Sequence, residues 1–343
     1  MLFLCQHGFE TLLGGELGGA GLTVAETGSG WARAEPVPGD AVTQSLGELC
    51  FPHFTLAAPR DIAGPSVNAL AQQLADYFLQ SMQGERIEAA WPCAFLGAAE
   101  VAGLGRRVGA VEKAFHEAVK KRLARVDRLA VPDVPRGAGP TRGLFVFFAD
   151  FGRAFVAREL WRGGQRRMAD DPQAPSRSYL KVEEAYVVLG VEPAPGETVC
   201  DLGAAPGGWS YSAARHGARV VAVDNGPLKG GAFDHPLIEH RLEDAFRFAP
   251  ADGLVFDWLF CDLVEEPHHV VQNIVRPWLA RGWCRRFVIN LKFGRTDPLG
   301  LLRELRAKDS PFATHAANFR IRHLYHDREE FTLVGNLTGR PRT

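Results

Sequence analysis

In the second half of the chain, short apolar runs repeatedly end on a charged residue. Thr198–Asp201, Arg219–Asp224, Trp258–Asp262 and Phe287–Lys292 close on Asp201, Asp224, Asp262 and Lys292, and Asp244 follows the run Ile238–Arg241. In an open α/β sheet, ligands bind outside the carboxyl ends of the strands, so five such residues in step predict a site. The first run leads into DLGAAPGGWS (201–210). Gly203, Gly207 and Gly208 permit close backbone approach, and Asp224, about twenty residues on, suits the two hydroxyls of a ribose. The glycines are spaced G-x-x-x-G-G rather than G-x-G-x-x-G, and Pro206 stiffens the turn. That spacing lacks the pyrophosphate cradle and counts against NAD. A nucleoside cofactor without a pyrophosphate fits: S-adenosyl-L-methionine, with Asp244 placed to accept from the adenine amino group.

Two lysines stand out beside these carboxylates. SRSYLKVEEAY (176–186) reads as a helix start with Ser178 at the N-cap, which sets Lys181 in the first turn,. A cation there opposes the helix dipole, so Lys181 is either paired with a carboxylate or lowered in pKa. Lys292 ends the run FVINLK and projects into the cleft mouth, where partial burial and a second cation favour a neutral amine able to take a proton. Lys181, Asp262, Lys292 and an acid from HDREEF (326–331) are expected to form one mixed-charge tetrad.

The elements that must position these residues follow from pattern. From residue 179 onward strand alternates with helix, the beat of a parallel sheet with crossover helices; a last strand is expected at Phe331–Gly335. Residues 169–178 (ADDPQAPSRS) have linker composition. Before them, residues 1–55 read as strand, helix and an alternating stretch over Leu22–Arg33. Residues 56–168 read as a second α+β unit, with helices near 65–82 and 108–126. Two strands there, Gly143–Ala149 and Arg153–Leu160, are joined at Asp150-Phe151-Gly152.

At 343 residues the chain is long enough for two cores,. With 39 basic and 40 acidic residues it carries no global basic field. Between Gly105 and Arg125, however, seven Lys/Arg stand against Glu112 and Glu117, and that segment is predicted to face phosphates,. The six cysteines are scattered without a C-x-x-C pair, which is not zinc spacing and suits a reducing cytoplasm,. No secretory signal, membrane span or metal-ligand cluster is expected.

SRSYLKVEEAY, DLGAAPGGWSY, VDNGPL, CDLVEEP, GWCRRFVINLK and LYHDREE, in that order, resemble the FtsJ-like ribose 2′-O-methyltransferases. The resemblance implies a Rossmann-like methyltransferase domain over 179–343 with a mostly parallel seven-stranded sheet. It also implies a ferredoxin-like unit over 1–55 and a THUMP-type RNA-binding domain over 56–168. It implies cofactor contacts at Ser178, Asp201, Gly203, Ala205, Pro206, Gly207, Gly208, Asp224, Asp244 and Asp262. Ala205 stands where near relatives often carry Cys, which leaves the backbone turn intact.

The catalytic set it implies is Lys181, Asp262, Lys292 and an acid at 329 or 330. Glu329 is favoured because Phe331 follows two residues later, and strand alternation lets only one of the pair face the cleft. Lys292 would be the general base, favoured in its neutral form by Lys181 and oriented by Asp262. The substrate implied is a cytidine 2′-hydroxyl of 23S large-subunit ribosomal RNA, unassembled or partly assembled. Arg106, Arg107, Lys113, Lys120, Lys121, Arg162, Arg166, Arg167, Arg285 and Arg286 are the expected RNA contacts. An amino-directed base methyltransferase would carry an Asn/Asp-Pro-Pro-aromatic motif where Asp262-Leu263-Val264-Glu265 stands. A cytosine C5 enzyme would set a Pro-Cys nucleophile near Cys261. A non-catalytic RNA-binding or assembly factor would not need the full set of lysines and acids.

Overall fold

A computed structural model describes residues 1–36 and 46–338. The chain divides into two compact units, Met1–Gly163 and Gly164–Thr343. The break falls earlier than the linker read at 169–178, because that segment is fastened inside the second unit. Asp171 accepts from the Tyr211 hydroxyl (3.0 Å) and from Arg215 (2.5 Å), and the Gln173 carbonyl accepts from the Gly231 N–H (2.9 Å).

The first unit comprises β1 (Leu2–Leu4), α1 (Glu10–Gly19), β2 (Leu22–Gly28), β3 (Trp31–Pro36), β4 (Phe54–Leu56), β5 (Arg60–Ala63), α2 (Val67–Ser81), β6 (Trp91–Gly97), α3 (Leu104–Arg128), β7 (Ala130–Val131), β8 (Gly139–Phe148) and β9 (Arg153–Arg162). The alternating stretch at 22–33 is a hairpin rather than one strand, since Gly30 turns the chain at φ +76°. The division expected at residue 55 is not a break in the sheet: β4 pairs with β1 on one side and β9 on the other, so one sheet runs through it. Helix α3 breaks its helical dihedrals at Leu123 and carries a line of exposed cations opposite the buried Val108, Val111, Phe115 and Val119.

The second unit comprises α4 (Tyr179–Leu189), β10 (Thr198–Leu202), α5 (Gly208–Arg215), β11 (Arg219–Val223), β12 (Ile238–Arg241), β13 (Phe256–Cys261), α6 (Pro267–Val270), α7 (Arg276–Arg281), β14 (Cys284–Lys292), α8 (Pro298–Arg306), α9 (Pro311–His315), β15 (Ala316–Arg322) and β16 (Glu330–Leu337). Its seven strands run in the order β12-β11-β10-β13-β14-β16-β15. β10 through β14 are parallel to their neighbours, while β16 runs antiparallel to β14 and β15. This is the Rossmann-like methyltransferase arrangement. The chain leaves β10 towards β11 and β12, then returns to β13, so the carboxyl ends of β10 and β13 flank a topological switch point. The strand β15 does not declare itself in the sequence. It opens on Ala316 and Ala317, bends at Asn318 (φ +52°) and slips register before Arg320, so no clean alternation marks it.

Valine, phenylalanine and tryptophan side chains fill the space between sheet and helices, with Trp258, Phe260, Val288 and Val334 wholly buried. Among the described residues no helix is long and apolar enough to cross a membrane. Helix α4, which carries Lys181, is tied down by its own Glu184. This buried carboxyl accepts from the backbone N–H groups of Arg166 (3.0 Å), Tyr325 (3.0 Å) and His326 (3.3 Å). Glu184→Ala should leave those three N–H groups without their acceptor and lower the unfolding free energy by about 2–4 kcal/mol. A urea midpoint equal to wild type would show that the loop is held by other means.

Candidate functional site

The site grows from the carboxyl edge of the second sheet. Asp262 follows β13, Lys292 ends β14, and β16, arriving antiparallel, starts at the same edge with Glu330 directly opposite Lys292 in the ladder. Lys292 Nζ donates to Asp262 Oδ1 (2.5 Å), to the Leu263 carbonyl (3.3 Å) and to Asn290 Oδ1 (3.3 Å), and lies 3.8 Å from Glu330 Oε2. Lys181 reaches across from α4: its Nζ lies 2.5 Å from Glu330 Oε1 and 4.0 Å from Asp262 Oδ1. Two ammonium groups and two carboxylates therefore meet in a half-buried cluster.

Glu330, not Glu329, is the acid that the fold brings there. Pairing with Lys292 sets Glu330 on the cleft face, 5% exposed, while Glu329 is exposed and contributes its backbone carbonyl to the Phe293 N–H. Of the two states open to Lys181, the structure has the paired one. Burial pulls its ammonium down, but Asp262 and Glu330 outweigh that and hold its pKa above the ordinary lysine value.

The turn 203–208 lies beside this cluster. Gly203 and Gly207 hold left-handed dihedrals (φ +80° and +107°). A Cβ at Gly203 would come within 2.6 Å of Leu263, and one at Gly208 within 2.5 Å of Ser178 Oγ. Close packing by Leu263 and Ser178 leaves room only for glycine at these two positions. Asp224 faces the turn from the end of β11, accepting from the N–H groups of Ala205 (3.0 Å) and Gly226 (2.6 Å) and keeping lone pairs for a diol,. These residues fit S-adenosylmethionine: a ribose acceptor at Asp224, a glycine-lined approach, and carboxylates near a cationic sulfur.

Three expected site residues stand differently from their sequence reading. Ser178 does not cap α4. It has helical dihedrals itself, and its hydroxyl bonds to Ser176 Oγ at 2.7 Å against Gly208. Asp201 is not at the strand mouth. β10 continues one residue further, and Asp201 turns inward to accept from Ser210 Oγ at 2.6 Å, fully buried. Asp244 is exposed and pins its own turn by accepting from the Phe246 N–H (2.9 Å). The sequence reading narrowed the acids of HDREEF to 329 or 330, leaving out Asp327, and said nothing of Thr332. Both lie buried beside Asn290; the acid-rich run HDREEF pointed towards Asp327, and no signal pointed to Thr332. Cys261 is buried, and that burial pushes its thiol up to about 12.

The basic residues divide by what already holds them. Arg106, Lys113, Lys120 and Lys121 are exposed on α3. Arg107 donates to the carbonyls of Phe151 and Pro65, and Arg162 to those of Pro135, Arg136 and Gly137. In the second unit Arg285 pairs with Asp257, and Arg286 pairs with Glu197 and covers Trp258. All four have partners within their own unit. Arg166 is half-buried, and the exposed Arg167 lies over the Tyr325 ring.

Burial raises the Asp201 carboxyl from 3.8 to about 7, against the pull of the Ser210 hydroxyl. An acid whose pKa rises on folding stabilises the native state below its unfolded pKa, and that contribution is lost as pH rises through the folded value. Between about pH 4 and 7 the wild type should therefore lose stability relative to Asp201→Asn. Parallel urea midpoints for the two proteins across that range would refute this.

Residues 174–279 match the FtsJ-like methyltransferase family. The ribosomal RNA large subunit methyltransferase M of Halorhodospira halophila is 42% identical over 202 residues, 57% of each chain. That of Laribacter hongkongensis is 37% identical over 244 residues, 67% of this chain and 66% of the relative. The alignments thus span less than two thirds of these two relatives. That of Stenotrophomonas maltophilia is 30% identical over 373 residues, 98% of this chain and 96% of its own. The chain belongs to the ribosomal RNA large subunit methyltransferase M family of FtsJ-like enzymes, whose methyl donor is S-adenosylmethionine.

Proposed function

We propose that this chain is a cytoplasmic enzyme that methylates the ribose 2′-hydroxyl of a cytidine in large-subunit ribosomal RNA, unassembled or partly assembled. The observation that carries this reading is the convergence of Lys181, Asp262, Lys292 and Glu330 beside the glycine turn. A ribose hydroxyl is a weak nucleophile and needs a base as it attacks. The cofactor supplies an activated methyl on its sulfonium. Lys292, in its neutral form, takes the hydroxyl proton while the oxygen's electron pair forms the new bond to the methyl carbon and the carbon–sulfur bond breaks. Asp262 orients Lys292, and Lys181, fixed as a cation by Glu330, holds the hydroxyl oxygen in line.

Cofactor contacts at Ser178, the 203–208 turn, Asp224 and Asp244 belong to the same proposal. So does a THUMP-type RNA-binding role for the first unit, carried by the exposed Arg106, Lys113, Lys120 and Lys121 of α3. Arg166 and Arg167 serve RNA from the second unit.

Incubation with methyl-labelled cofactor and ribosomal RNA lacking the modification, followed by alkaline hydrolysis, tests the chemistry. A 2′-O-methyl group blocks cleavage at its own phosphate, so label is expected in alkali-stable dinucleotides; label in mononucleotides would mean base methylation. Lys292→Ala should abolish turnover and leave cofactor affinity within about twofold of wild type. Retained turnover would remove Lys292 from the role of base. RNA affinity should fall steeply with salt, with a shallower slope in Lys120→Gln/Lys121→Gln. A flat wild-type response would rule out a phosphate track.

A further inference from the structure

Two rungs of the β14–β16 ladder carry polar side chains on the same face. Lys292 stands opposite Glu330, and one rung deeper Asn290 stands opposite Thr332. The next rung on that face, Val288 with Val334, is already apolar core. Asn290 and Thr332 are each 1% exposed. A polar rung inside a core is costly unless its hydrogen bonds are complete, and here they are arranged in one direction. Asn290 Nδ2 donates to Asp327 Oδ1 (3.2 Å) and lies 3.1 Å from Thr332 Oγ1, while its carbonyl oxygen accepts from Lys292 Nζ. Asp327 is in turn held by the Leu324 N–H (2.9 Å) and the Thr332 hydroxyl (3.0 Å).

We propose that Asn290, its amide locked carbonyl-forward by Asp327 and Thr332, is a positioning residue that fixes the Lys292 amine for proton transfer. The proposal rests on the reading of Lys292 as the base. A flipped amide would turn its N–H groups onto the lysine, which has only donors to offer, and would lose the Lys292 contact,. The lysine stem has four rotatable bonds, and its amine is useful only within reach of the hydroxyl proton. Asp262 holds Nζ from β13 and Asn290 from within β14, so the nitrogen is fixed between two elements. The charged groups facing it are Asp262 from β13, Glu330 from β16 and Lys181 from α4, with Asp327 behind Asn290. Burial and the charge of Glu330 raise the Asp327 carboxyl to about 8, so at neutral pH it adds little negative charge to the cluster.

Single-turnover methyl transfer by the full chain, followed across a pH series, tests this. Asn290→Ala and Thr332→Val should lower the plateau rate on the order of tenfold. Cofactor affinity should stay within about twofold of wild type. The acid limb should move to lower pH, because loss of an oriented acceptor disfavours the ammonium more than the amine. Thr332→Ser, which keeps the hydroxyl, should restore the limb. If Asn290→Ala does not fold, Asn290→Ser removes the carbonyl while keeping a polar group opposite Thr332, and the same loss is expected. A wild-type plateau, or a lowered plateau with an unmoved limb, would overturn the proposal. An active Lys292→Ala would instead overturn the reading of the base on which it stands.

Discussion

A single oxygen of Asp262 answers to two ammonium groups. Lys292 sits 2.5 Å from it and Lys181 4.0 Å, and neither lysine is more than a quarter exposed. Two cations this close in a partly dry cleft are tolerable only if carboxylates match them. Asp262 alone cannot; Glu330 completes the balance. Because β16 runs antiparallel to β14, its first residue reaches the edge where the parallel strands finish. The reversed strand, which breaks an otherwise parallel pattern, thus delivers charge as well as hydrogen bonds.

The same edge separates two kinds of work. Around 203–208 the chain is drawn tight on glycines packed against Leu263, Ala232 and Ser178, and Asp224 braces the turn through the Ala205 N–H. Around Lys292 the chain crowds ionisable side chains together behind buried polar support. Under the proposed function the two suit different tasks, because a small cofactor needs shape and a few acceptors and proton transfer needs a base fixed against its own flexibility. The switch point between β10 and β13 lets one sheet present both without mixing them.

Much of this was legible before the structure. The strand-and-helix beat, the charged strand ends and the odd placement of Lys181 each follow from residue type and spacing, and they locate the edge where Asp224, Asp262 and Lys292 gather. What stayed hidden was what depends on partners far along the chain. Glu329 and Glu330 differ only in register against β14, and register belongs to the pair of strands. Asp201 looked like the other strand-end acids until one further residue of β10 turned it towards Ser210. The segment 169–178 has every residue of a free linker, yet Asp171 and Gln173 fasten it to α5 and its neighbours. β15 lacks the alternation that would reveal it. Asp327 was passed over within HDREEF because nothing local shows that it bonds to Asn290 and Thr332.

The late position of Glu330 bears on how the site comes into being. The cradle from Asp201 to Gly226 leaves the ribosome roughly a hundred residues before Glu330 does,. Until β16 inserts between β14 and β15, Lys181 and Lys292 have only Asp262 between them, and the nascent cleft holds an excess positive charge. Pairing of β16 brings Glu330 to the two lysines and joins β15 to the sheet. The meeting of these four side chains thus waits on β16, so a product that stops short of it would keep the turn at 203–208 without the carboxylate that lies between Lys181 and Lys292.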